Sequence, residues 1–412
     1  MSVRRPAAPT AALLAVAVLL GAMPGLVVSA PSAGPARPMI VVLDRDADVD
    51  AALARGRARG VSADLVFRHA ARGYSAKLTP AQATALRSDP SVDAVVEDSV
   101  VELAAELPRT VPTGVRRVGT LGSPTAGIDG VDTRVGVDVA IIDTGIQKDH
   151  PDLNVGGGKN CVPNEAPTAW GTDGHGHGTH VAGTVGALDN GVNVDGVDVV
   201  GVAPGARLWA VKVFQANGES LISWIVCGID WVVAKKDLDG GQTIEVANMS
   251  LIDEGRDDGN CGYTNADLEH RAICRAVGLG VTFVVAAGNY ATTTSAWIPA
   301  AYNEVITVSA LADFDGLPGG LKPSTCSSFG QTDVDDTFAD FSNYGYDVDL
   351  IAPGKCIRST YKGSTYATMS GTSMATPTVA GAAALYLATH PDTSPAEVRA
   401  ALRAAGSNDW AT

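Results

Sequence analysis

Val137-Asp138-Val139-Ala140-Ile141-Ile142-Asp143-Thr144-Gly145 is the stretch on which the fold turns. Its first six residues read as a β-strand that is apolar almost throughout instead of alternating, as expected of a strand covered on both faces. Asp143 then leaves the carboxyl end of that strand, and Gly145 permits an immediate turn. Outward from this point the same kind of strand is predicted at 208–214, 245–250, 281–286, 305–310 and 348–351. Amphipathic helices are predicted between them, at 180–188, 220–235, 267–279 and 373–389. The alternation implies an α/β fold, a mainly parallel sheet with helices on both faces, and puts functional groups at the carboxyl edge of the sheet.

The 412 residues are 46% hydrophobic and 18% charged, with 46 glycines, a profile of a globular, loop-rich protein and not of a disordered, coiled-coil or collagen-like chain. The net charge of −15 would repel a nucleic-acid backbone or an anionic membrane, so neither is expected as a partner. Nearly all of that acidity lies beyond residue 104. The N-terminus combines Arg4-Arg5 with an apolar run from Ala11 to Met23, then Pro24 and small residues around Ala30, which predicts a secretory signal peptide over 1–33. The run is too short to span a bilayer. The cysteines Cys161, Cys227, Cys261, Cys274, Cys326 and Cys356 are even in number and form no CxxC pair, so disulfides are expected, with 15 connectivities open. Residues 34–104 read as a small α+β module, with strands at 39–43, 64–67, 74–78 and 92–97 and helices at 49–59 and 79–88, the second capped by Thr79 with Pro80 at its first position.

Three side chains at the predicted sheet edge carry chemistry together. Asp143 ends the first strand, His177 sits just ahead of a predicted helix within Gly176-His177-Gly178-Thr179-His180, and Ser373 follows a glycine-led turn in Gly371-Thr372-Ser373-Met374-Ala375-Thr376-Pro377. Each alone would more often be a cap or a turn residue. A serine hydroxyl, however, is a weak nucleophile that needs a base, and the base needs a carboxylate to fix its tautomer. One of each is present. Their order, Asp then His then Ser, is that of subtilisin, the standard worked case for this arrangement.

With these segments, and with His150-Pro151-Asp152-Leu153, Gly201-Val202-Ala203-Pro204, Asn248-Met249-Ser250-Leu251 and Ala286-Ala287-Gly288-Asn289, residues 137–390 resemble the secreted subtilisin-like serine proteases, the subtilase family. The resemblance implies a serine endopeptidase acting through an acyl-enzyme, with no cofactor for catalysis and with proteins or peptides as substrates. It implies an oxyanion donor at Asn289, paired with the Ser373 N–H. It further implies substrate pairing along Gly218 and Ser250-Leu251-Ile252, with a primary pocket between Ser250–Ile252 and Ala286–Gly288 suited to a large apolar side chain. Ile252 stands where relatives have glycine, which narrows that pocket; Thr378 replaces a common histidine outside the triad.

The module at 34–104 resembles the family's inhibitory propeptide through Ile40-Val41-Val42-Leu43 and Gly73-Tyr74-Ser75-Ala76-Lys77-Leu78-Thr79, implying a self-cleaving zymogen cut between about Val101 and Leu107. The catalytic domain would then span 105–412, secreted and expected to be a monomer. Asp152 matches a calcium-binding carboxylate, with Leu188–Val197 in place of a ligand-bearing loop, so a structural Ca²⁺ is expected. Neighbour pairing of the cysteines, Cys161 with Cys227, Cys261 with Cys274 and Cys326 with Cys356, is the expected connectivity. Two rival readings remain. One is a zinc hydrolase using His175, His177 and His180, although zinc enzymes of the metallo-β-lactamase type place Asp where Thr179 stands. The other is an inactive scaffold on the same fold, which usually lacks one of the residues that are all present here.

Overall fold

The structure is a computed structural model that describes residues 34–98 other than 45 and 69–71, and residues 111–410 other than 192, 195–196, 239–243, 320–321, 325 and 327–332. The predicted signal segment and the predicted propeptide cut lie outside these residues. The chain divides into two compact units, Met1–Ala105 and Glu106–Thr412.

In the first unit β1 (Arg37–Leu43), α1 (Val49–Ala58), β2 (Ala63–Phe67), β3 (Gly73–Leu78), α2 (Pro80–Arg87) and β4 (Val92–Glu97) form an α+β module. The sheet is antiparallel in the order β2-β3-β1-β4. Val41, Leu43, Tyr74, Leu78 and Leu86 fill its core. Local sequence sets both helix starts: Asp48 accepts from the Asp50 and Ala51 amides, and Thr79 and Gln82 cap each other's backbone around Pro80. Asp89, buried beside β4, accepts from Arg59 and Arg55 at 2.7 and 3.0 Å. The Arg59 bond above all holds its carboxyl well below the usual carboxylate range, locking α1 to the turn ahead of β4.

The second unit is built on an eight-stranded sheet. Its strands run in the order 337–338, 306–312, 282–286, 246–249, β5 (Asp138–Asp143), 207–212 and β6 (Val155–Asn160), with Leu350–Pro353 also paired to Ile306–Ala312. Every pairing is parallel except that of the short Thr337–Phe338 edge. Along β5, Val139 and Ile141 enter one core and Ala140 and Ile142 the other. The first core lies under α4 (His177–Gly186) and α7 (Thr372–Thr389), the second under α5 (Ile222–Leu238) and α6 (Leu268–Gly278). Each fully buried aliphatic side chain of β5 contributes roughly 2 kcal/mol by leaving water. The chain leaves β5 toward the 207–212 strand on one side and continues to 246–249 on the other, so the strand order reverses at the carboxyl end of β5. Crevices of open α/β sheets form at such a reversal.

The predicted strands and helices are present with end shifts of a few residues. One is at α4, which starts at His177 and not at 180, because Asp173 accepts from the Gly176 and Thr179 amides and so begins the helix a turn earlier. Elements that the sequence did not predict include α3 (Thr113–Arg117), β6, the hairpin Ile357–Tyr361 with Thr365–Met369, and α8 (Pro395–Ala405). Glycine-rich β6 has little strand propensity of its own and exists as the parallel partner of Arg207–Lys212. The disulfides are Cys161–Cys227, Cys261–Cys274 and Cys326–Cys356, the expected neighbour pairing.

Candidate active site

The carboxyl ends of β5, 246–249 and 282–286 converge on the start of α7. Asp143 ends β5 with its side chain 1% exposed. One carboxylate oxygen accepts from the Thr144 amide at 2.7 Å, and the two oxygens lie 2.8 and 2.9 Å from His177 Nδ1. A carboxylate only accepts, so His177 Nδ1 carries the proton and Nε2 presents a lone pair to the cleft. Burial alone would push the His177 pKa down, but the charge of Asp143 and its hydrogen bond outweigh it and hold the pKa above the usual histidine value. The approach is close: a Cβ on Gly178 would lie 2.2 Å from the Gly145 carbonyl oxygen.

Asp173 organises this corner, a role that sequence reasoning did not assign to it. One oxygen accepts from the Thr144 hydroxyl at 2.9 Å and the Gly176 amide at 2.7 Å; the other accepts from the Thr179 amide and hydroxyl at 2.9 and 2.7 Å. Thr144 Oγ1 in turn accepts from the Gly178 amide at 2.9 Å. The strand end that carries Asp143 and the helix start that carries His177 are thus tied through one buried carboxylate. An acid just ahead of a glycine-rich helix start was the available signal.

Ser373 is the second residue of α7, where amides have no intrahelical partner. The preceding amide, of Thr372, donates to Asn289 Oδ1 at 2.8 Å, and the Thr372 hydroxyl donates to the same oxygen at 3.0 Å. With its oxygen engaged, Asn289 turns its Nδ2 donor toward the α7 start, 3.5 Å from the point a Cβ on Gly371 would occupy. Among the described residues, neither Asn289 Nδ2 nor the Ser373 N–H has a hydrogen-bond acceptor, and both donors lie at the α7 start. Ser373 Oγ itself donates to the Ser250 carbonyl at 3.3 Å, a long bond, and not to His177.

Ser250 is fixed by two bonds: its hydroxyl donates to the Ser373 carbonyl at 2.9 Å and accepts from Asn248 Nδ2 at 2.9 Å. Leu251 turns its side chain into the α5/α6 core, leaving only its backbone at the edge. Ile252 reaches across to Gly288, where its Cδ1 lies 2.2 Å from the position of a missing Cβ, so the two predicted pocket walls touch there. Gly288, at φ 103°, and buried Ala287 follow the 282–286 strand; Asn343 Nδ2 donates to the Ala287 carbonyl at 2.9 Å. Gly218, at φ 85°, sits in a turn closed by the Gln215 amide on the Glu219 carbonyl, close to His175.

The three histidines do not gather. His180 is fully buried, and its Nε2 donates to the Ile357 and Ala367 carbonyls at 3.0 and 3.1 Å, while burial holds its pKa down to about 3. The His175 and His177 rings stand edge to face 6.2 Å apart. Among the described residues, these side chains form no metal-ligating group. Asp152 is wholly buried; its oxygens accept from Asn190 Nδ2 at 3.0 Å and the Tyr366 hydroxyl at 3.3 Å. Asp189 accepts from the Asp129 and Gly130 amides. Asp195 and the Asp198 side chain lie outside the described residues.

The subtilase family profile matches residues 134–409, and that of the peptidase inhibitor I9 family matches residues 42–104. An alkaline protease of Alkalihalobacillus alcalophilus is 39% identical over 325 residues, covering 79% of this chain and 71% of that protein. Subtilisin E of Bacillus subtilis is 38% identical over 317 residues, covering 76% and 70%. A crystal structure of a cold-adapted subtilisin-like serine proteinase superposes with a TM-score of 0.52 at 31% identity, covering 69% of this chain and 93% of that one. With the family match running over most of its length and an inhibitor segment ahead of it, this chain belongs to the subtilase family of serine endopeptidases.

Proposed function

We propose that the protein is a secreted endopeptidase, made as a self-cleaving zymogen, in which Ser373 is the nucleophile, His177 the base and Asp143 its orienting partner. The observation that carries this reading is the Asp143–His177 bond at 2.8 Å beside the α7 start that Asn289 anchors. A substrate chain pairing along Ser250–Ile252 takes up the Ser250 carbonyl and releases the Ser373 hydroxyl toward His177. The Oγ attacks the peptide carbonyl carbon while Nε2 accepts its proton, and the carbonyl oxygen, now negative, is held by Asn289 Nδ2 and the Ser373 N–H. Collapse breaks the C–N bond; the departing amine takes the proton from His177 and leaves an acyl-enzyme that water hydrolyses by the same route. His177 as imidazolium is stabilised by Asp143 throughout.

In this reading residues 1–33 direct export, 34–104 inhibit in cis until cleaved, and 105–412 act as a monomer outside the cell. Gly218, Ser250, Leu251, Ile252, Ala287 and Gly288 line the substrate, with Ile252 against Gly288 narrowing the primary pocket. A Ca²⁺ held in part by Asp152 has a stabilising role; a buried carboxylate suits a hard cation.

The test is maturation. Wild type expressed in a protease-free secreting host should yield a product beginning between Val101 and Leu107 by N-terminal sequencing, and Ser373→Ala should keep residues 34–104 attached. Normal maturation of Ser373→Ala would sink self-cleavage, and residual peptidase activity that a zinc chelator abolishes would sink the serine mechanism.

A further inference from the structure

The loop between the pocket wall and α6 ends in a group of side chains that proteolysis does not use. His270, in the first turn of α6, is fully buried. Tyr302 stacks on its ring at 3.9 Å and 2°, Nε2 lies 2.9 Å from Glu304 Oε2, and its backbone amide donates to the Asp267 side chain at 3.1 Å. A carboxylate can only accept, so Nε2 carries a proton. The opposite nitrogen, Nδ1, is buried and has no hydrogen-bond partner. It faces Asp257 Oδ1 at 3.7 Å and Asp258 Oδ1 at 3.6 Å. Among the described residues no Lys or Arg pairs with either aspartate.

We propose that His270 Nδ1, Asp257 and Asp258 form a binding site for a divalent transition-metal ion of the zinc type. A buried imidazole nitrogen without a hydrogen-bond partner, aimed at two carboxylate oxygens at separations too long for hydrogen bonds, is the arrangement expected around an ion. Ligand atoms about 2.1 Å from a tetrahedral ion stand about 3.4 Å apart, close to the separations found here. Glu304 on Nε2 supplies the outer carboxylate that fixes tautomer and ring orientation in such sites. Asp258 Oδ1 accepts from the Asn260 and Gly262 amides and Oδ2 from the Thr264 and Asn265 amides, so its position is preset and a bound ion takes the place of one amide on Oδ1. One nitrogen with two oxygens selects Zn²⁺ or Co²⁺ over Ca²⁺, which prefers oxygen alone. The side chain of Asp257, 15% exposed, is the solvent side of the site and leaves the fourth position to water. A bound ion would clamp the loop 257–265 to α6, next to the Cys261–Cys274 disulfide.

The rival arrangement is a doubly protonated His270 paired with the carboxylates and no metal. The probe is Co²⁺, titrated into the full-length chain carrying Ser373→Ala, after stripping with chelator and in excess Ca²⁺. The expected result is one equivalent of Co²⁺ with the intense visible bands of a tetrahedral site, displaced by Zn²⁺. Asp257→Asn should abolish those bands while circular dichroism stays unchanged, and Glu304→Gln, a positioning variant, should weaken Zn²⁺ binding roughly 10- to 100-fold. Absence of the bands in the parent chain overturns the site, as does their persistence in Asp257→Asn. A nitrogen NMR spectrum showing both His270 ring nitrogens protonated at pH 8 in the presence of equimolar Zn²⁺ overturns it as well.

Discussion

Glu269 is the least expected side chain of the second unit, and replacing it should stabilise the enzyme in a pH-dependent way. It is fully buried in the first turn of α6, and neither carboxylate oxygen has a hydrogen-bond partner. Burial, reinforced by the charges of Asp267 and Asp253, pushes its pKa from an ordinary 4.5 up to about 8. The native protein therefore keeps this proton to about pH 8, whereas the unfolded chain releases it near 4.5. Between those values the native state binds more protons, so stability falls as pH rises. At about 1.4 kcal/mol per unit the loss is roughly 3 kcal/mol at pH 7 and levels off near 5 kcal/mol above pH 8. Glu269→Gln should remove this pH-dependent cost, and Glu269→Leu should in addition remove the roughly 1–3 kcal/mol of burying an unbonded polar group. The assay is urea unfolding of both variants on a Ser373→Ala background, with chelator present, at half-unit steps from pH 5 to 9. The advantage of each variant over the parent should grow from pH 5 to about pH 8 and then level off. A constant difference, or a loss of stability in Glu269→Gln at pH 8, would refute the reasoning.

Three further outcomes concern catalysis. Asn289→Ala should lower kcat roughly 100- to 1000-fold with KM little changed, the established worth of this donor in subtilisin; a drop confined to KM would remove Asn289 from the oxyanion site. Because Asp143 raises the His177 pKa, kcat/KM should fall on acidification with a midpoint above 6.5, and Asp143→Asn should move that midpoint down along with a large loss of rate; a midpoint that does not move contradicts the pairing. Ile252→Gly should open the space against Gly288 and raise kcat/KM for substrates with Phe or Tyr before the cut bond relative to Ala, measured on a peptide series; an unchanged ranking would place the pocket elsewhere.

The α/β alternation, the helix caps and the motif-bearing turns were legible because each is local: Thr79-Pro80 followed by Gln82 states a helix start, and the unbroken apolar run 137–142 states a strand covered on both faces. The α8 start was equally legible, since Ser394 and Glu397 cap each other across Pro395, but the reading stopped at α7. Order along the chain also sufficed to propose Asp143, His177 and Ser373 as partners. Their contacts span tens to hundreds of residues, however, and are not written in any window. Asp173 is one example, a buried carboxylate joining a strand end to a helix start. Ile252 against Gly288 is another, where two loops from different strands meet.

By itself the sequence determined which segments are strands and helices, which residues could do chemistry, and that a separate small unit precedes the large one. Only the tertiary structure decided that His180 is tied to the carbonyls of a hairpin, that Leu251 serves the core, and that the buried Nδ1 of His270 faces two aspartates without a hydrogen bond. The physical reason is that periodicity and capping are set by neighbours along the chain. Protonation, burial and pocket shape are set by groups that only the packed sheet brings together.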